Sequence, residues 1–242
     1  MAPPRRLTKP QQAERVYARQ LRRLAEHVGH IIGGFPPGDP ATVPTITQML
    51  SAYADALMPW ATATAKKMVE DVNQRDLAGW KTVSADLSKG LQREVQGADV
   101  GETMRRLMAE QVTLIQSIPI EAARRVHDLT IKGLEDSTRG KEIQREIMRS
   151  GEVTKSRAVL IARTEVSRTA SNLTQARAQA IGSTHYIWRT SGDSTVRPDH
   201  KILNGKIFAW NDPPVADEHS GARANPGGIY NCRCFAEPII EE

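Results

Sequence analysis

A chain of 242 residues can hold one large domain or two smaller ones. Its 39% hydrophobic and 25% charged residues are ordinary for a soluble protein, and aromatics at only 5% favour long helices packed through Ala, Leu, Ile and Val over a dense β-sandwich. A net charge of +5 permits contact with nucleic acid or an acidic surface without requiring it, and two cysteines spaced C-x-C exclude a disulfide scaffold. No apolar run approaches the ~18–20 residues of a membrane span, and the charged start lacks the apolar stretch of an export signal.

Residues 1–9 read as a flexible basic arm, with Pro3, Pro4 and Pro10 opposing helix. From Gln11 the period becomes helical. Tyr17, Leu21, Leu24, Val28 and Ile31 share a face, Arg15, Arg19, Arg22 and Arg23 lie opposite, and Gly33-Gly34 is the stop. Phe35 to Pro40 is a linker. A second helical region runs with breaks from Thr45 to Gln96, and Pro59 should kink or split it. Its stripe continues through Val69, Val72, Leu77, Trp80, Val83 and Leu87. After a loop at 97–101, Met104 to Ile115 predicts a third helix ended by Ile118-Pro119, and Glu121 to Leu134 a fourth. Asp136-Ser137-Thr138 offers a cap for a short helix over Gly140–Arg149. Ser150-Gly151 breaks it, and the next helix is expected from Thr154 to Ala180, with Gly182 as its stop.

Beyond Gly182 the texture changes to short β-prone runs at 185–188, 206–210 and 234–240. The expected class is α+β: a helical region over 1–135, then a small α+β domain over 136–242.

The chemistry-bearing residues concentrate in this last third. His200, Cys232 and Cys234 are good zinc ligands, and side chains two apart on an extended chain point the same way, so both sulfurs could reach one ion. A structural site wants a fourth ligand, for which His219 and Asp199 are the candidates. The plainer reading, two small buried cysteines beside a hydrogen-bonded histidine, is set ahead of structural zinc, and catalytic zinc behind both. Arg163, Glu165 and Arg168, with Asn172, form a polar stripe on a helix whose apolar face is narrow and Ala-rich, which suggests a buried polar network docking it onto the sheet. Asp193 and Arg197 belong to the same polar set. Asp199-His200 could orient an imidazole as a base, but no nucleophile elbow or phosphate-cradling glycine loop accompanies it. Leu203-Asn204-Gly205 reads as a hairpin turn of the Asn-Gly type.

Several short segments in order carry a resemblance. They are Ala162-Arg163-Thr164-Glu165, Trp188, Asp193, Arg197-Pro198-Asp199-His200, Leu203-Asn204-Gly205, Phe208, Pro213-Pro214, Asn225-Pro226 and Cys232-Arg233-Cys234. Over roughly 140–240 the chain resembles the Mu F-like head morphogenesis family of phage minor head proteins. The family's usual His-Pro-x-Cys-Arg-Cys ending is altered, because Gly227-Gly228-Ile229-Tyr230 intervenes before Asn231-Cys232 and the nearby histidine is missing. The resemblance implies a non-enzymatic virion or procapsid component, present in the host cytoplasm during assembly and then in the head or at the portal vertex. Its implied partners are the portal protein and other capsid or scaffolding proteins, with non-specific contact to packaged DNA and none to membrane; it would assist packaging or ejection. Structural zinc is the cofactor to consider. The alternatives are a metal-dependent hydrolase or nuclease on Asp193, Asp199, His200, Cys232 and Cys234, and an ADP-ribosyltransferase-like site on Arg163 and Glu165. General DNA binding has the least support, without a base-stacking platform or groove reader.

Overall fold

Apolar residues at helical spacing dominate the first 180 positions, and in the computed structural model they form long helices. The structure describes residues 10–83, 89–135 and 140–240. The basic arm, Leu87 and the Asp136–Thr138 cap lie outside them. The helices are α1 (Gln11–Gly33), α2 (Val43–Ala56), α3 (Met58–Val83), α4 (Lys89–Gly97), α5 (Gly101–Glu135), α6 (Gly140–Met148) and α7 (Ser150–Ala180). A 3-10 turn at Pro40–Thr42, capped by the Asp39 side chain on the Ala41 N–H, precedes α2. The rest comprises β1 (His185–Arg189), α8 (Pro198–Leu203), β2 (Ile207–Ala209), β3 (Val215–Asp217), β4 (Ala222–Arg223) and β5 (Phe235–Pro238). The class is α+β, as expected.

The chain divides into two compact units, one drawn from 15–66 and 109–162, the other from 1–14, 67–108 and 163–242. The first is helical. Its core holds Val28, Ile32, Ile46, Leu50, Ala122, Ala123, Val126, Ile143 and Ile147. Within it Tyr17 Oη donates to Gln111 Oε1 at 3.0 Å, and Arg157 donates to Ser117 and Glu121 at 3.1 and 2.7 Å.

Two expected breaks are corrected here. α5 runs 35 residues without stopping at Pro119. Gln111, Ile115, Ile118, Ala122 and Val126 form a buried seam on both sides of the proline. Burying Ile115 and Ile118 is worth about 1.5–3 kcal/mol each, which offsets the ~3 kcal/mol an interior proline costs. The break expected at Ser150-Gly151 does occur but falls at Arg149, between α6 and α7, and Ser150-Gly151 itself begins α7. Gly151 is a contact point: a Cβ there would lie 3.2 Å from the Gly29 Cα of α1. Pro59 does divide the helical run. α2 ends at Ala56, and the proline occupies the first turn of α3, where an N–H is not required.

The second unit carries the sheet, in the order β2-β1-β5 with both pairings antiparallel. The three β-prone runs read from sequence are its strands. Tyr186 faces Phe208 on one side and Pro238 on the other, and Trp188 pairs with Ala236. On β1 the buried side chains are Tyr186 and Trp188. They meet Trp80, Val95, Ala178, Trp210, Ala216, Cys232 and Cys234 in one core. A second, two-stranded sheet, β3-β4, was not anticipated. Deeper in this unit Arg177 pairs with Asp76, whose other oxygen accepts from Thr174 at 2.5 Å, while Arg177 also donates to Asn73 at 2.6 Å. Both charged groups are buried.

A short helix not read from the sequence is added and one turn assignment changes. Arg197-Pro198-Asp199-His200 is the start of α8, with Pro198 in its first turn and Arg197 extended before it. Asn204 and Gly205 link α8 to β2 and do not close a hairpin. Asn204 lies at φ −58°, ψ 127° and Gly205 at φ 82°, with the Lys206 N–H donating to Leu203 O at 3.0 Å, which is a type II turn.

Candidate functional site: a buried histidine and two thiols

α8 exists to present one side chain inward. His200 falls in its middle and is buried, edge-on to Trp188 of β1 with ring centroids 5.4 Å apart. Its Nε2–H donates to the Ala216 carbonyl of β3 at 2.8 Å. That bond fixes the ring and leaves Nδ1 facing the other way. Nδ1 lies 3.6 Å from Cys232 Sγ and 3.3 Å from Cys234 Sγ.

The cysteines arrive by the alternation of an extended chain entering β5. Both sulfurs turn inward and are buried, while Arg233 between them turns out. Arg233 bonds Thr195 and lies 3.4 Å from an Asp193 carboxylate oxygen. Before them Asn231 takes φ 55°, a left-handed conformation that asparagine tolerates better than most residues. Its N–H donates to Thr164 Oγ1 at 2.9 Å and its side-chain oxygen accepts from Arg163 at 3.0 Å. α7 thus positions the turn that aims the first thiol.

The electrostatics follow from this packing. The hydrogen bond from Cys234, with help from His200, pulls the Cys232 thiol down to about 4 against the opposing effect of burial. Cys234, as the donor, is pushed up. The pair therefore releases a first proton readily and holds the second. Burial works to lower His200, but its contacts with Cys232 outweigh this and raise it. Among the described residues, His200, Cys232 and Cys234 form a metal-capable group with ligand atoms all within 4.8 Å of one another. His219 is exposed in the β3–β4 loop and Asp199 half-buried on α8; neither belongs to that group. A small cleft of about 40 Å³ adjoins it, lined by Ser191, Thr195, Arg197, Asn231 and the three group members among others.

The polar set separates into two places. On α7, Arg168 lies 3.7 Å from Glu165, and Asn172 accepts from Arg106 at 2.9 Å. Arg163 reaches Asn231 and also Glu14, the latter at 3.2 Å. Asp193 instead caps the 193–195 turn through Thr195 and meets Arg233. Arg197 donates to the Tyr230 carbonyl at 3.1 Å and lies over the Tyr230 ring. Sequence reasoning missed Ala216, Thr164 and Asn231. A backbone acceptor leaves no mark in a sequence, and a left-handed asparagine only a faint one.

Against known proteins, a family model described as Phage Mu protein F like protein matches residues 124–237. A Haemophilus influenzae protein described only as an uncharacterized protein is 31% identical over 143 residues, covering 59% of this chain. The chain spans 31% of that relative's length. No solved structure matches.

Proposed function

We propose that the protein is a minor component of a phage head that joins the portal during assembly. The family match over 124–237 carries this reading. It takes in the segments that form the His200–Cys232–Cys234 cluster and the strands around it. In this reading the helical region 1–135 makes the portal or capsid contact. α1 supplies a suitable surface, since Tyr17, Leu21, Leu24 and Val28 are buried while Arg15, Arg19, Arg22 and Arg23 are exposed. A cationic helix face suits an acidic partner surface or the phosphates of packaged DNA, which it would contact without reading sequence. Assistance in packaging or ejection follows from that position.

The test is co-expression with the portal protein of the same phage, followed by sizing and imaging. A stoichiometric complex weakened by Arg19→Glu and Arg23→Glu is expected. Neither unit is a continuous stretch, so point changes map the interface better than truncation. No association with the portal, together with absence of the protein from purified particles by mass spectrometry, would remove the reading.

A further inference from the structure

We propose that His200 Nδ1, Cys232 Sγ and Cys234 Sγ bind one zinc ion whose fourth ligand is a water molecule in the adjoining cleft. The proposal is independent of any role in the head.

Distances support it first. Tetrahedral zinc with Zn–S of about 2.3 Å and Zn–N of about 2.0–2.1 Å places sulfur and nitrogen ligands about 3.6 Å apart. The Nδ1–Sγ separations of 3.6 and 3.3 Å already match that edge. Both sulfur–nitrogen edges of the group are therefore at zinc spacing. The second support is the histidine's other nitrogen. Metal-bound imidazoles donate the opposite N–H to a carbonyl or carboxylate, and Nε2 does so to Ala216. Two thiolates and one imidazole on a buried scaffold select a thiophilic, tetrahedral divalent ion. Binding takes both cysteines as thiolates, their protons passing to solvent, and two thiolates neutralise the ion's two charges.

The fourth ligand is the new element. Neither His219 nor Asp199 joins the group. The cleft beside it holds about 40 Å³, room for roughly one water and with polar walls from Ser191, Thr195 and Asn231. Arg197 also lines it, and its Nη1 is buried without a hydrogen-bond partner. A zinc-bound water would have protein partners there.

The experiment uses the reduced full-length chain, titrated with zinc and separately with cobalt under anaerobic conditions. One ion per chain is expected. Cobalt should give the thiolate charge-transfer absorption and the visible bands of a tetrahedral site, and Cys232→Ser and His200→Ala should each abolish stoichiometric binding. Should those variants not fold, the wild type still decides: chelation should lower its Tm and re-addition of zinc restore it. Azide added to the cobalt form should shift the visible bands by replacing water. A reduced protein that takes up no metal, or a cobalt spectrum without thiolate character, overturns the site. Bound cobalt whose bands ignore azide overturns the water ligand.

Discussion

The two units solve the same problem with different materials. The helical unit fills its interior with Val, Ile, Leu and Ala at helical spacing. The sheet-bearing unit packs aromatics and cysteines and also encloses a paired Asp76 and Arg177. An apolar core spreads its stabilisation over many exchangeable contacts. A core with enclosed polar groups concentrates its risk, since each lost partner strands a group out of water.

The largest expected effect tests that contrast. Asp76→Ala leaves Arg177 buried without its carboxylate and should cost about 3–5 kcal/mol. Leu50→Ala, fully buried in the helical unit, should cost about 2–5 kcal/mol, and less where neighbouring side chains close the gap. Urea denaturation of both variants gives the comparison; equal tolerance of Asp76→Ala would show that water reaches the pair.

Gly151→Ala sharpens the picture of the helical unit. Overpacking costs about 1–3 kcal/mol, while alanine gains about 1 kcal/mol of helix propensity over glycine. The obstructing atom is backbone, the Cα of Gly29, so a net loss of about 1 kcal/mol is expected by the same assay. A stabilised variant would mean that α1 and α7 can part by a few tenths of an ångström.

In the sheet-bearing unit, Asn231→Ala should lose about 1 kcal/mol, because alanine lacks the short polar side chain that eases the left-handed conformation and accepts from Arg163. Asn231→Gly should regain the backbone share but not the Arg163 contact. The gap between the two variants in Tm separates conformation from hydrogen bonding.

The smallest effect concerns pH. Asp217 is held below the usual carboxylate range, chiefly by the Ser220 hydroxyl. Its folded value is depressed, so its contribution is complete above the unfolded value of about 4 and disappears as pH falls through the folded one. Asp217→Asn should therefore lower the denaturation midpoint slightly at neutral pH and leave it unchanged below the folded value, which flattens the acid limb.

These contrasts also explain what was legible in the sequence. The buried face of α1, the three strands of the main sheet and the inward pair of cysteines are periodic features, and period survives any tertiary context. At Pro119 the local cost is plain in the sequence, while the seam of Ile115, Ile118 and Ala122 that outweighs it exists only once the helix is packed. Asp76 and Arg177 lie 101 positions apart, so no local pattern marks their pairing. The tautomer of His200 rests on a backbone carbonyl sixteen residues away, and any residue at 216 would supply that oxygen.

The type II turn at Asn204-Gly205 has a consequence for chemical ageing. Asparagine followed by glycine is the dipeptide most prone to deamidate, because the glycine nitrogen can attack the side-chain amide and close a five-membered imide. Here that nitrogen donates to Trp188 O at 2.8 Å, and the amide oxygen accepts from the Thr190 N–H at 3.0 Å. Both reacting groups are engaged elsewhere while the fold lasts. Deamidation at Asn204, read by mass spectrometry of stored samples, thus becomes a slow clock for the time this edge of the sheet spends open.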